Sequence, residues 1–301
     1  MDELEQLNLE LIPSYEIDFE KLASVHSEDE FLHVSFELLK EAAPLVLMVA
    51  NTLDTEHLDG FTRNEAILVG HLVRMTKLMR AVIAGVADDH GGDQQAQLVR
   101  QFLDSASTLA YLLEDSSDTS RFDAYVFDSL IGEREFLKDV REQIAARGGK
   151  KLNIDERIER SIQQAFQTAG VTESEIPARS RNGWPSAQDR LKLFGPTAYS
   201  AYRTGSGAIH GSWHDIERHH LQIVDGKFRP YSEPAPERPQ PLLVMALVGV
   251  SIAQKYVEHC VPLASELFQP RFADFLDKLE RAASMHEEFL TREFNSRIAD
   301  Q

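Results

Sequence analysis

The sequence contains a single cysteine, Cys260, among its 301 residues. One cysteine cannot form an intramolecular disulfide, and it excludes a zinc site that needs two thiolates. Sparse cysteine is also typical of proteins that stay in a reducing compartment. We therefore expect a cytoplasmic protein that is held together by its hydrophobic core.

Basic residues are scarce, with 31 Lys and Arg against 49 Asp and Glu, for a formal net charge of −18. So acidic a surface repels phosphate backbones unless its basic residues are concentrated locally. The composition argues against a general polyanion binder, and no DNA-binding motif is present. Residues 178–229 are a local exception, with eight basic and four acidic residues, and they indicate a candidate anion site.

Long hydrophobic runs are also missing. The most apolar stretch covers residues 242–253, whereas a membrane-spanning helix needs about 20 apolar residues. The acidic start, MDELEQLNLELI, has neither the basic first residues nor the apolar run of a signal peptide. We expect a soluble protein without a membrane segment, in which residues 242–253 form a buried core helix.

Helical periodicity dominates what is present. Apolar residues recur three or four positions apart along most of the chain, which predicts an all-α bundle of about seven or eight helices. Around Asp225-Gly226 the residues alternate, which predicts one small β-hairpin near 219–229. We expect a single helical domain over residues 1–301, with an N-terminal extension (1–20), a region of loop, motif helix and hairpin (176–241), and closing helices (242–298).

The segment 199–220 is the strongest candidate for chemistry, and it is predicted to run as one helix. At about 100° per residue, one side of that helix would carry Arg203, Ser206, His210, His214 and Glu217. The segment also holds three glycines, at 205, 207 and 211. Because glycine inside a helix costs about 1 kcal/mol relative to alanine, they indicate close packing or a helix end.

Several chemistries fit this row of side chains. His210, His214 and Glu217 could hold a metal ion, although the glutamate does not lie between the histidines as in the HExxH signature. Ser206 and His210 could form a nucleophile and base, but no third orienting residue is evident. A structural polar network is the remaining interpretation. A further basic stripe, Arg74, Lys77 and Arg80, is typical of a solvated helix face, or it could line a groove with Arg203.

The spacing Arg203-x6-His210 is similar to the Arg-x(4–6)-His signature of HEPN domains. The wider pattern resembles a bacterial domain-of-unknown-function family, number 5677, over about residues 35–265. It consists of Tyr202-Arg203-x-x-Ser206-x-x-x-His210-Gly211-Ser212-Trp213, with Asn64-Glu65-Ala66-Ile67 and Arg74 upstream.

The HEPN resemblance implies a helical bundle that dimerises, and in many members a metal-independent RNA endonuclease with its arginine and histidine at a dimer cleft. By that resemblance, Arg203 would stabilise the phosphorane charge and His210 would transfer protons. Ser206 would be a helper or a packing residue. Candidate binding residues are Arg74, Lys77, Tyr202, Arg179, Arg181 and Trp213.

We accordingly expect Arg203 and His210 to line one cleft near basic residues of the 179–192 loop. The leading hypothesis is an RNA endonuclease or RNA-binding effector in stress or defence, acting as a homodimer without a cofactor. A non-catalytic scaffold or ligand-binding protein is the alternative, and a metal-dependent hydrolase is a minor one.

Overall fold

The computed structural model describes residues 9–52, 60–88 and 92–299. Within these ranges the chain forms eleven α-helices and one two-stranded antiparallel sheet, so the predicted all-α class with a small hairpin is confirmed. Eight of the helices have 13 residues or more. The helices are α1 (Phe19–Ala23), α2 (Glu28–Ala50), α3 (Arg63–Ala87), α4 (Gly92–Leu113), α5 (Thr119–Ala146), α6 (Asn153–Ala169), α7 (Ala187–Leu191), α8 (Ala198–His210), α9 (Trp213–His219), α10 (Pro239–Cys260) and α11 (Ser265–Ala299).

The described residues fall into two compact units. The first draws on Met1–Phe61, Ala66–Glu114 and Ala187–Gln301, and the second on Thr62–Glu65 and Asp115–Ser186. Each unit has its own set of packed helices. The expectation that residues 1–301 form a single domain stays a prediction.

The core of the first unit is built around α10, which packs against α2, α4 and α11. In the described part of the chain, α10 is the one helix that is long and apolar enough to cross a membrane by length and composition. Just over half of its most apolar window, 56%, is buried inside the structure. It therefore packs as the core helix predicted for residues 242–253, and it extends beyond them to span 22 residues in all.

The predicted N-terminal extension, residues 1–20, is described from residue 9 onwards, and residues 1–8 lie outside the described ranges. The Tyr15 N–H donates to a carboxylate oxygen of Glu41 at 2.8 Å. Arg271 of α11 donates to the Pro13 carbonyl at 3.0 Å and pairs with Glu41 at 2.7 Å. Glu41 is 1% exposed, so this extension is attached to the unit through a buried ion pair.

In the second unit α5 packs along α6, and α6 ends at Gly170 in the left-handed conformation. The segment that follows folds back along α5. Arg134 donates to the Pro177 carbonyl at 3.1 Å, and Asn182 donates to the Ala124 carbonyl at 2.9 Å. The loop predicted around residues 176–185 is therefore attached to α5 by two hydrogen bonds, one to the carbonyl of Pro177 and one from the side chain of Asn182.

The predicted hairpin lies in the first unit, with strands β1 (Leu221–Val224) and β2 (Lys227–Pro230). Asp225 and Gly226 both have positive φ, 54° and 71°. Two such residues between paired strands make a turn whose twist matches that of the strands. In the register of the hairpin, Ile223 faces Phe228.

Candidate functional site

The motif segment forms two helices, so the prediction of one helix through 199–220 is wrong. Helix α8 ends at His210, and Gly211 follows it with φ 56° in the left-handed region. Helix α9 then starts at Trp213, where the Ser212 hydroxyl accepts a hydrogen bond from the Asp215 N–H at 3.3 Å. A left-handed glycine followed by a serine cap is a standard way to end one helix and begin another.

The helix break separates His210 from the rest of the predicted row. His214 and Glu217 lie on α9, so they do not continue the side of α8 that carries His210. Among the described residues there is no group of three His, Cys, Asp or Glu side chains that could hold a metal ion. In the structure, the side chains of His210, His214 and Glu217 are therefore not grouped in a way that could hold a metal ion.

Gly205 determines how α8 packs. It is buried, and a Cβ atom placed on it would lie 2.4 Å from the Ala96 carbonyl oxygen and 2.6 Å from the Arg100 Cβ, both on α4. Tyr202 lies beside this contact, with the Arg100 guanidinium 4.8 Å from its ring centre and donating to its hydroxyl at 3.3 Å. Tyr202, a candidate binding residue, therefore takes part in the interface between α8 and α4.

Arg203 and His210 lie on the side of α8 turned away from α4. Seven residues at about 100° each bring them to within about 20° of one another around the helix axis, and to roughly the opposite side from Gly205. Both side chains are exposed. Neither forms a hydrogen bond or ion pair with any residue in the described ranges. The two leading candidates therefore share one solvent-facing surface.

Ser206 is engaged within its own helix. It is half-buried, and its hydroxyl donates to the Tyr202 carbonyl at 3.4 Å. No hydrogen bond joins Ser206 to His210 in the part of the chain that the structure describes. The role of Ser206 as a helper or a packing residue stays a prediction.

The remaining basic candidates lie outside α8. Arg74 of α3 donates to the Gln101 carbonyl at 3.3 Å and to the Ser105 hydroxyl on α4, and Lys77 is exposed. Arg179 and Arg181 belong to the second unit, where Arg179 pairs with Glu135 at 3.1 Å. Within the first unit, no described contact joins Arg74 or Lys77 to Arg203 or His210.

An exposed aromatic pair follows directly after His210. Trp213 is 64% exposed and lies edge to face with Phe228 of the hairpin, their ring centres 5.6 Å apart. Ile223, opposite Phe228 in the hairpin register, is also exposed. Trp213 was predicted as a binding residue, whereas Phe228 was missed. The alternation that predicted the hairpin places Phe228 on one of its faces, but the contact with Trp213 depends on how α9 packs.

A pocket of about 600 Å³ lies on the other side of α8. Its walls are the start of α4, α8, α9, the proline-rich connector 231–238 and the start of α10. From α8 it is lined by Ala201, Thr204, Gly205 and Ala208, which is the side opposite Arg203 and His210. This pocket is therefore not the expected cleft, because Arg203 and His210 lie outside it as exposed side chains.

Comparison with known proteins places the chain in a family without an assigned activity. The Family of unknown function DUF5677 matches residues 65–228, which include α3, the motif helices and most of the hairpin. The match is shorter than the 35–265 expected from the motifs. No curated protein and no solved structure matches the chain, and the HEPN resemblance stays a prediction. The chain belongs to the Family of unknown function DUF5677.

Proposed function

We propose that this protein binds single-stranded RNA on the exposed side of α8 and cleaves it without a metal ion. The observation that carries the proposal is the pair Arg203 and His210, two turns apart on one side of one helix, both exposed and both unpaired within the described ranges. A cation and a titratable imidazole that are not used by the fold suit an anionic substrate. The HEPN resemblance of their spacing supports the same reaction.

In the proposed reaction the RNA supplies its own nucleophile. The 2′-hydroxyl oxygen attacks the adjacent phosphorus, the bond from phosphorus to the 5′-oxygen breaks, and the products are a 2′,3′-cyclic phosphate and a 5′-hydroxyl. Arg203 stabilises the charge that accumulates on the phosphorane oxygens. His210 takes the proton from the 2′-hydroxyl or returns one to the 5′-oxygen, as suits an imidazole near neutral pH.

The Trp213–Phe228 pair supports single-stranded RNA as the substrate. Unstacked bases bind to exposed aromatic rings, and each stacked base contributes about 1–3 kcal/mol. Trp213 comes three residues after His210 along the chain, so a base on its ring places the neighbouring phosphates near the end of α8. Because the chain as a whole is acidic, binding must depend on this local surface and must weaken as salt is added.

We also propose that the active form is a homodimer. Cleavage needs one proton removed and one returned, and two facing copies of α8 would supply an imidazole for each. Ile209, an apolar residue beside His210, is 40% exposed and is a suitable contact for a second copy. Light scattering should show a dimer for the wild type and a monomer for Ile209→Asp. A wild-type monomer at the assay concentration would contradict the dimer.

The cleavage test uses a mixed RNA substrate with and without a chelator. Arg203→Ala and His210→Ala should each lower the rate by about 10²-fold or more. The matched controls are Arg80→Ala and His214→Ala, which remove exposed residues of the same types outside the proposed surface, and these should keep most of the activity. Activity lost on chelation would favour a metal-dependent hydrolase, and no cleavage under any condition would favour a scaffold or ligand-binding protein.

A further inference from the structure

The walls of the pocket between α4, α8 and the proline-rich connector are joined to α4 by close contacts. At Gly92, the first residue of α4, an added Cβ would lie 1.7 Å from the Ala235 carbonyl oxygen of the connector. At Gly205 an added Cβ would meet the Ala96 carbonyl oxygen at 2.4 Å. Both walls therefore approach α4 more closely than any residue with a side chain would allow.

Two glutamines of α4 bind the same walls. Gln95 is 4% exposed, and its side-chain amide donates to the Arg238 carbonyl and accepts from the Arg238 N–H, both at 3.4 Å. Gln97 donates to the Ala208 carbonyl of α8 at 3.4 Å. Contacts from residues far apart in sequence thus give the pocket a preformed shape, as is common for small-molecule sites.

The lining of the pocket is mainly small and apolar. Three prolines and three small or branched aliphatic side chains line it, and these side chains have no hydrogen-bonding groups. They are Pro234, Pro236 and Pro241 from the connector and α10, with Ala201, Ala208 and Val244. An apolar group that contacts them is removed from water, which favours its binding.

Two arginines and two histidines line the pocket together with one carboxylate, that of Asp215. Arg238 pairs with Glu28 at 2.7 Å, and Asp215 lies 3.8 Å from the His220 ring. Arg218 and His219 also line the pocket, and neither has a hydrogen bond or ion pair among the described residues. These two side chains are available to an acidic group of a ligand.

We infer that this pocket binds a small organic anion with a flat apolar body, the acidic group lying against Arg218 and His219 and the body between α8 and the prolines. The volume suits a molecule of the size of a mononucleotide or an aromatic carboxylate. This ligand site is independent of the proposed RNA surface, because it occupies the opposite side of α8.

Isothermal titration calorimetry on the full chain tests the inference with adenosine 5′-monophosphate and naphthalene-1-carboxylate, which separate phosphate-bearing from carboxylate-bearing ligands. At least one should bind saturably with a Kd below about 1 mM. Adenosine and naphthalene-1-carboxamide keep the flat body without the charge, and they should bind at least about tenfold more weakly. Inorganic phosphate and acetate, which keep the charge without the body, should not bind measurably.

Two variants locate the binding. Arg218→Gln should weaken the anion at least about tenfold, since it removes a charge-assisted hydrogen bond. Ala201→Trp should abolish binding by filling the pocket from an exposed helix position, whereas the matched Ser200→Trp, one residue away and outside the lining, should bind normally. The RNA-surface variants Arg203→Ala and His210→Ala should bind the anion as the wild type does.

The inference is overturned if neither anion binds saturably, if the neutral analogues bind equally well, or if phosphate or acetate alone binds as tightly. It is also overturned if Ala201→Trp binds like the wild type. Loss of RNA cleavage with anion binding intact would remove only the proposed function, and the reverse result would remove only this inference.

Discussion

Gly205 of α8 lies so close to α4 that a Cβ atom built on it would come within 2.4 Å of the Ala96 carbonyl oxygen. This close contact lies on the side of α8 that α4 covers, together with the contacts of Tyr202 and Ala208. With α8 packed in this way, Arg203 and His210 are exposed, and Ala201 and Ala208 line the pocket.

Gly205→Ala should lower the free energy of unfolding by about 1–3 kcal/mol, because the new methyl group can be accommodated only if one backbone moves. The matched control is Gly70→Ala in α3, where an added Cβ meets nothing within 4 Å. That variant should be neutral or gain about 0.5–1 kcal/mol from helix propensity. Urea unfolding of both variants checks the pair, and equal effects would contradict the close-packing role.

Gln95→Ala should lower the free energy of unfolding by about 1 kcal/mol, since it leaves the Arg238 backbone N–H and carbonyl without their partner. Hydrogen exchange at the Arg238 amide should become faster, because this amide donates to the Gln95 side chain. Gln94→Ala is the control, as Gln94 is exposed and has no hydrogen bond within the described ranges. Unchanged exchange at Arg238 in the Gln95 variant would show that the connector is held by other contacts.

The free energy of unfolding should fall as the pH drops, because the folded protein keeps His71 neutral at pH values where the unfolded chain protonates it. Burial, and then the charges of Arg74 and Arg190, lower the pKa of His71 from 6.5 to about 4. The unfolded chain therefore binds a proton first, and the contribution of the neutral imidazole is complete above pH 6.5 and is lost progressively towards pH 4. Between pH 7.5 and pH 5 this loss amounts to about 2 kcal/mol.

Denaturant unfolding at these two pH values measures the effect. His71→Gln should remove most of it, whereas His26→Gln, at an exposed position, should leave it unchanged. Some pH dependence should persist in the His71 variant, because burial also lowers the pKa of His286. An undiminished slope after His71→Gln would assign the acid sensitivity to other groups.

Glu41→Gln should destabilise the first unit by about 3 kcal/mol, because it leaves the Arg271 guanidinium without the carboxylate it pairs with at 2.7 Å. The backbone at Tyr15, which donates to the same carboxylate, should become accessible to limited proteolysis. Glu37→Gln removes a partner of Lys40 in a surface pair, and it should cost less than about 1 kcal/mol. Similar losses of unfolding free energy in both variants would contradict a larger contribution from the buried pair than from the surface pair.

Local pattern predicted the features that depend on nearby residues. At the start of α3, for example, the Glu65 carboxylate accepts from the N–H of Thr62, three residues earlier, at 2.8 Å. The Asp225-Gly226 turn was recognisable for the same reason, since its two positive φ values suit these residues. The helix break at Gly211 was harder to predict. A glycine within a helical pattern is compatible with close packing of the helix and equally with the end of the helix.

Gly205 and Gly211 illustrate this limit. Six residues apart in one segment, they have different roles, one packing against α4 and the other ending α8 with positive φ. Periodicity cannot distinguish these roles, since it does not show which element lies opposite a given side. The hypothesis of a metal site at His210, His214 and Glu217 has the same limit. It assumed that one helix continued past residue 211, whereas α8 ends at His210.

The sequence by itself determined the helical class, the hairpin and the shared side of Arg203 and His210, because helical period, caps and turns depend on residues within a few positions of one another. Only the tertiary structure decided that this side faces solvent, since α4 covers the opposite side at Gly205. It alone also formed the pocket, whose walls come from residues 92–99, 201–208, 215–220 and 231–244. Those segments meet because burying the apolar faces of α4 and α10 draws distant parts of the chain together.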